Sequence, residues 1–370
     1  MSELFAAGAK VDITPPVGAL MDGYVDRPGA SSEIHDRLYS RALVLRMDGR
    51  TAAIVSCDLC WLGSATLSDV RKKAEPLGVD EVLLAATHTH SGPAVADFIV
   101  GPTALGTDYV LSLPDLIADS IESATEKLRP VTGDVSVGSA ALSVNRRVGS
   151  LPVDPAVVTL TFRDELGKPV AGVLNYSCHP TVLGPANRQI SADYAGRVAE
   201  LMEESQGGSF VSLFLNGACG DVNPSTCDGY LCDGTFDDVS AMARRLAEAS
   251  RDSSGAKPLD CGELGFGRSR IGPLPPLGLS VELTAINLGG VALLGVPGEL
   301  FASTGLWLRK QLSPRSLVIA GFANGYAGYF PTQDAFERRD YETKKICWVD
   351  ASAEEAIRRE ASALLEKVCG

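Results

Sequence analysis

Apolar positions in this chain come in short runs bounded by glycine, proline and polar residues, and the runs change period along the sequence. Val11-Asp12-Ile13-Thr14-Pro15-Pro16-Val17-Gly18 predicts a short strand entering a Pro-Pro turn. Stretches 40–47 and 51–58 predict two strands joined by Asp48-Gly49-Arg50, which is hairpin chemistry. A helix over 64–77 leads to the apolar run 82–86, a short buried strand. Further helices are expected over 114–128, 193–204, 237–249 and 353–368, and one starting at Pro297-Gly298-Glu299. Further strands are expected over 134–137, 156–162, 170–178, 210–215, 261–268, 281–288, 291–296 and 317–322. Strands alternating with helices imply an α/β fold, mixed β-sheets flanked by helices in two or three layers. In such folds active groups sit where strands end.

No internal repeat, low-complexity tract or linker interrupts the 370 residues, so one α/β domain over 1–370 is the simplest expectation. At 45% apolar and 21% charged residues the composition is that of an ordinary globular protein. A net charge of −13 disfavours a nucleic-acid partner, which requires clustered Lys and Arg. No apolar run approaches the ~20 residues of a membrane-spanning helix, and Met1 to Gly8 lacks the basic and apolar regions of a signal peptide. A cytoplasmic location, no membrane and a small-molecule partner are therefore expected; the oligomeric state is left open. Nine cysteines without framework spacing argue against a disulfide scaffold. Cys57 and Cys60 read as buried thiols, whereas Cys227 and Cys232 are either a disulfide or free.

Candidate chemistry enters at Thr87-His88-Thr89-His90-Ser91-Gly92-Pro93. Along a strand side chains at i and i+2 share a face, so His88 and His90 point the same way, and paired neutral imidazoles suit a metal such as zinc. Two hydrogen-bonded core histidines would look the same. The other two histidines are His35 and His179, the latter also following an apolar strand. Glu299, Tyr329 and its neighbour Tyr326 stand at further strand ends beside Gly or Pro. Each has a structural alternative taken alone: a capped strand end, a helix cap, a packed ring. Asp58 and Asp193 are spare carboxylates, either capping loops and helices or assisting a metal.

The ordered series of motifs resembles the neutral (non-lysosomal) ceramidases and their shorter bacterial relatives. It runs through Asp12 to Gly18, His35-Asp36-Arg37-Leu38-Tyr39, Thr87 to Pro93, Asn145-Arg146 and Cys178-His179-Pro180. It continues with Gly220-Asp221-Val222-Asn223-Pro224, Pro297-Gly298-Glu299, Gly325 to Tyr329 and Tyr341-Glu342. The resemblance implies a ceramidase-like catalytic domain without the C-terminal immunoglobulin-like domain. It also implies one zinc ion held by His88, His179, Glu299 and Tyr329, another divalent metal remaining open. By the same resemblance, His90 contacts the scissile group, and Arg146 and Tyr341 are polar partners around the substrate carbonyl. One residue departs from the pattern: where the family carries a serine needed for activity, this chain has Asn223. An amide side chain is no nucleophile, so Asn223 is assigned a hydrogen-bonding role at the substrate.

These readings converge on a zinc-dependent amidohydrolase that cleaves an N-acyl bond of a small soluble substrate. A non-catalytic binding relative, an esterase or lactonase, and a true ceramidase are the alternatives. One metal or two, with Asp58 or Asp193 serving a second, stays open at this point.

Overall fold

The computed structural model describes residues 3–95, 107–149, 151–227, 232–251, 255–259 and 262–370. Three sheets organise it, and all three follow one plan. In the first, strands Phe5–Asp12, Tyr39–Met47 and Arg50–Cys57 form an antiparallel meander. Helix Ser64–Ala74 then crosses over, and strand Glu81–Ala86 adds parallel to Arg50–Cys57. The second repeats this with Thr132–Ser139, Ala156–Arg163 and Pro169–Tyr176, helix Asp193–Gln206, and parallel strand Val211–Asn216. The third does so with Gly265–Leu274, Leu279–Asn287 and Val291–Gly295, helix Ala302–Leu312, and parallel strand Ser316–Ala320. The sequence shows no such repeat, because what recurs is connectivity and not residue identity.

The mixed sheets flanked by helices that the sequence predicts are what the structure shows. The sheets turn their inner faces to one shared core, where Leu43, Ile54 and Leu83 meet Leu160, Val173 and Leu213 together with Ile286, Leu293 and Val318. Helices cover the outer faces. Ser64–Ala74 and Asp108–Thr125 lie on the first sheet, Asp193–Gln206 and Phe236–Ser250 on the second, and Ala302–Leu312 and Ser352–Cys369 on the third. Strands Glu81–Ala86 and Val211–Asn216 are therefore buried at every position, as strands covered on both faces must be.

Several boundaries differ from expectation. Pro114 lies inside its helix, which starts six residues earlier at Asp108, where the side chain of Thr107 accepts from the Val110 N–H. The strand expected over 261–268 is Gly265–Leu274, and residue 261 lies outside the described residues. Glu299 does not begin a helix. It opens the two-residue strand Glu299–Leu300, and the helix follows at Ala302. Among the described residues no helix is long and apolar enough to cross a membrane.

The shared plan places chemistry. In each sheet the third and fourth strands run parallel, so their carboxyl ends open on the same side. Asp58, His179 and Glu299 follow the three third strands. His88, Asn223 and the pair Tyr326 and Tyr329 follow the three fourth strands.

Candidate metal centre

Strand Glu81–Ala86 stops before the histidines, which corrects the expectation that His88 and His90 share a strand face. His88 sits in the left-handed region at φ 70°, its N–H bonded to the Leu59 carbonyl. A residue other than glycine adopts that conformation at a cost of about 1–2 kcal/mol, so the turn is held by its surroundings. The two imidazoles still come together, with ring centroids 4.6 Å apart and planes at 85°. The His88 ring also stacks on Phe322 at 3.8 Å.

Tautomers follow from the backbone. His88 Nδ1 is 2.7 Å from the Cys60 carbonyl, and His179 Nδ1 is 3.0 Å from the Val222 carbonyl. A carbonyl only accepts, so each Nδ1 carries the proton and each Nε2 presents a lone pair. Burial pushes both imidazoles down to about 3, which keeps them neutral.

Glu299 faces these lone pairs. Its Oε2 is 3.2 Å from His179 Nε2 and 3.9 Å from His88 Nε2, with all three side chains buried. Its Oε1 accepts from the Tyr326 hydroxyl at 2.5 Å. Burial raises the Glu299 pKa, while His88, the two tyrosines and Arg146 pull it back. Neither Glu299 Oε2 nor His179 Nε2 has a hydrogen-bond partner. Three acceptor atoms within 4.8 Å of one another, two of them unsatisfied, fit a divalent cation and fit nothing that donates weakly. Tyr329 pairs with Glu299 across the short strands Glu299–Leu300 and Tyr329–Phe330, which puts the phenol beside this group.

Arg146 holds the rim. Its Nε donates to Glu342 Oε1 at 2.8 Å, and its Nη1 to Asn223 Oδ1 at 3.1 Å. Its Nη2 donates to the Gly220 carbonyl at 2.7 Å and to the Tyr329 hydroxyl at 3.1 Å. Although burial alone would lower its pKa, Tyr329 and the Glu342 and Glu299 carboxylates hold Arg146 well above its usual value, so it stays charged. The guanidinium lies 5.6 Å from the Tyr341 ring, and Tyr341 is 37% exposed. His90 Nε2 stands 3.1 Å from His88 Nε2, and burial with its two histidine neighbours keeps it neutral.

The structure thus gathers His88, His179, Glu299 and Tyr329 in one cluster, with His90, Arg146, Asn223 and Tyr341 around it. It leaves Asp58 and Asp193 outside. Asp58 is buried against Arg41 at 2.6 Å and accepts the Tyr39 N–H. Asp193 accepts the N–H groups of Tyr194 and Leu183. Cys57 and Cys60 are free and buried, and Cys227 and Cys232 form a disulfide. Several contributors left little or no mark in the sequence. The Cys60, Gly220 and Val222 carbonyls act through backbone atoms that any residue carries. Glu342, which fixes Arg146, was visible only as part of a motif. Gly23 packs on His90 so closely that a Cβ there would fall 2.4 Å from His90 Cγ; a Gly followed by an aromatic is a weak signal for such a contact.

Comparison with known proteins identifies the family. Residues 5–258 match the family model described as neutral/alkaline non-lysosomal ceramidase, N-terminal. The neutral ceramidase of Pseudomonas aeruginosa is 24% identical over 97% of this chain and 72% of its own length. Neutral ceramidase A of Dictyostelium discoideum is 29% identical over 60% of this chain and 37% of its own, and the Mycobacterium tuberculosis neutral ceramidase 27% over 74% and 47%. The chain thus spans less than half of those two relatives. The crystal structure of the Pseudomonas aeruginosa neutral ceramidase superposes with a TM-score of 0.83 at 21% identity, covering 100% of this chain and 76% of that one. With more than half of its residues matched by the family model, the chain belongs to the neutral/alkaline non-lysosomal ceramidase family.

Proposed function

We propose that this protein is a zinc-dependent amidohydrolase acting on the N-acyl bond of a small soluble substrate. The observation that carries the reading is the convergence of the Nε2 atoms of His88 and His179 on Glu299 Oε2, with each Nδ1 pinned to a backbone carbonyl. His88, His179 and Glu299 would hold the ion, with Tyr329 beside them. When bound, zinc supplies Lewis acidity to a carbonyl oxygen and lowers the pKa of a water towards ~7.

The protein's own groups do the rest. His90, neutral and next to His88, is placed to take a proton from the attacking water and return it to the leaving amine. Arg146 is already fixed by Glu342, Asn223, the Gly220 carbonyl and Tyr329, so its charge meets a developing oxyanion without reorganising. Tyr341, exposed at the rim, supplies a further donor. Tyr326 restrains Glu299. Asn223 cannot form an acyl intermediate, and its Oδ1 is occupied by Arg146, so it serves to hold that guanidinium and to meet the substrate through its amide.

The net charge of −13 repels an anionic lipid surface, which favours a soluble substrate over a membrane-borne one. Family membership keeps ceramide as the second reading. The test is turnover by the zinc-loaded protein on a panel of N-acyl amines, amino acids and amino sugars together with a short-chain ceramide. Hydrolysis of a soluble member, reduced roughly 10²–10⁴-fold by His90→Ala, supports the proposal. Hydrolysis of ceramide alone selects the second reading, and no hydrolysis at all sinks both.

A further inference from the structure

Asp22 is a buried carboxyl with no part in the proposed reaction. It is 1% exposed. Its Oδ1 accepts the Gly23 N–H at 3.0 Å, and its Oδ2 has no partner. Arg27 is nearby, but its hydrogen bonds go to the carbonyls of Asn187, His90 and Asp22 itself and not to the carboxylate. A buried carboxylate oxygen without a donor costs free energy, and such groups persist where a ligand completes them.

Its position says where that ligand lies. The Asp22 N–H bonds to the Gly92 carbonyl, which ties the residue to the His88–Pro93 turn. Gly23 lies flat against the His90 ring, and Tyr24 meets the same ring edge-on at 5.0 Å. Gly23 and Tyr24 therefore pack on the imidazole assigned to proton transfer, and Asp22, with its unsatisfied oxygen, is the residue that precedes them.

We infer that Asp22 is a specificity-determining residue that accepts a hydrogen bond from a hydroxyl or ammonium group carried by the substrate beside its scissile amide. The inference rests on the amidohydrolase reading for its setting. A site built around such an acceptor discriminates against a substrate lacking the donor, because the oxygen is then left unpaired. An apolar amide of the same size is the poor substrate.

The experiment compares three substrates of matched length: the N-hexanoyl amides of ethanolamine, ethylenediamine and propylamine. The zinc-loaded wild type is expected to favour the hydroxyl- or ammonium-bearing amide over the methyl-terminated one by roughly tenfold or more in kcat/KM. Asp22→Leu, which removes the acceptor at similar size, brings both ratios near one. Asp22→Asn, which keeps the Gly23 contact but turns a donor towards the substrate, brings the ammonium ratio near one and guards against misfolding of the leucine variant. A wild-type ratio near one, or ratios unchanged in both variants, overturns the inference. Calorimetric binding of ethanolamine, ethylenediamine and propylamine separates the two readings. Asp22-dependent binding without turnover keeps the subsite and removes the hydrolase; turnover with no such dependence does the reverse.

Discussion

The Nε2 of His179 lies 3.2 Å from Oε2 of Glu299, and neither atom has a hydrogen-bond partner. His179 is held in the tautomer that puts its proton on Nδ1, so two lone pairs face each other inside the protein. Without a cation between them this contact is repulsive. Glu299→Gln is therefore expected to fold and to lose the ion. Metal analysis should fall from one equivalent to near zero. Chelation should lower the melting temperature of the wild type, by the free energy of mass action (~2.7 kcal/mol at a hundredfold excess over Kd), and leave the variant unmoved. Full retention of metal by Glu299→Gln would remove Glu299 from the ligand set.

Gly23 permits the approach of its segment to His90. It has φ 92°, and an added Cβ would fall 2.4 Å from His90 Cγ and 2.7 Å from Nδ1. Gly23→Ala must therefore strain the backbone or displace the imidazole. A catalytic group moved by about 1 Å can cost 10²-fold, so kcat should drop by about that factor while the metal content stays at the wild-type value. Unaltered kcat would show that His90 does not need its observed position.

Asp58 follows the third strand of its sheet just as His179 and Glu299 follow theirs, yet it has been turned to structure. It pairs with Arg41 at 2.6 Å, and the two side chains are 0% and 2% exposed. Removing one member of a buried pair costs about 3–5 kcal/mol, and here the Glu203 carboxylate 3.3 Å from Arg41 offsets part of it. Asp58→Ala should lower the melting temperature by several degrees with one metal equivalent retained. Loss of a second equivalent would restore the two-metal reading.

How much of this could be read in advance depends on whether backbone or side chain carries the information. Apolar runs such as 40–47 and 291–296 reported strands because burial selects side chains, and His88, His179 and Glu299 were visible because the ligands proposed for the metal are side chains too. The threefold plan was not visible: connectivity can recur with different residues, and the helix over 108–125 was misplaced because a proline was taken as its start. The left-handed turn at His88 was likewise hidden, since a strand was expected to persist for four more residues. The carbonyls of Cys60 and Val222 that set the tautomers leave no mark in any sequence. Asp22 was overlooked because a single acid in a Gly-rich loop is ordinarily solvated. Only its burial distinguishes it.

That burial makes a thermodynamic prediction independent of substrate. Burial pushes the Asp22 carboxyl up to about 7 from its ordinary 3.8, against the pull of the Gly23 N–H and Arg27. A carboxyl whose folded pKa is raised favours the folded state most when protonated in both states. That contribution is complete below about pH 4 and is lost as pH rises through about 7. At about 1.4 kcal/mol per pH unit, the loss is on the order of 4 kcal/mol by pH 8. Asp22→Asn does not titrate and keeps the acceptor for Gly23, so it should gain on the wild type as pH rises. The variant's melting temperature should gain on that of the wild type from about pH 4 upward and level off above about pH 7, with most of the divergence between pH 5 and 7. A difference that stays constant over this range would mean that Asp22 is ionised and satisfied in the folded protein, and the acceptor proposed for the substrate would already be occupied.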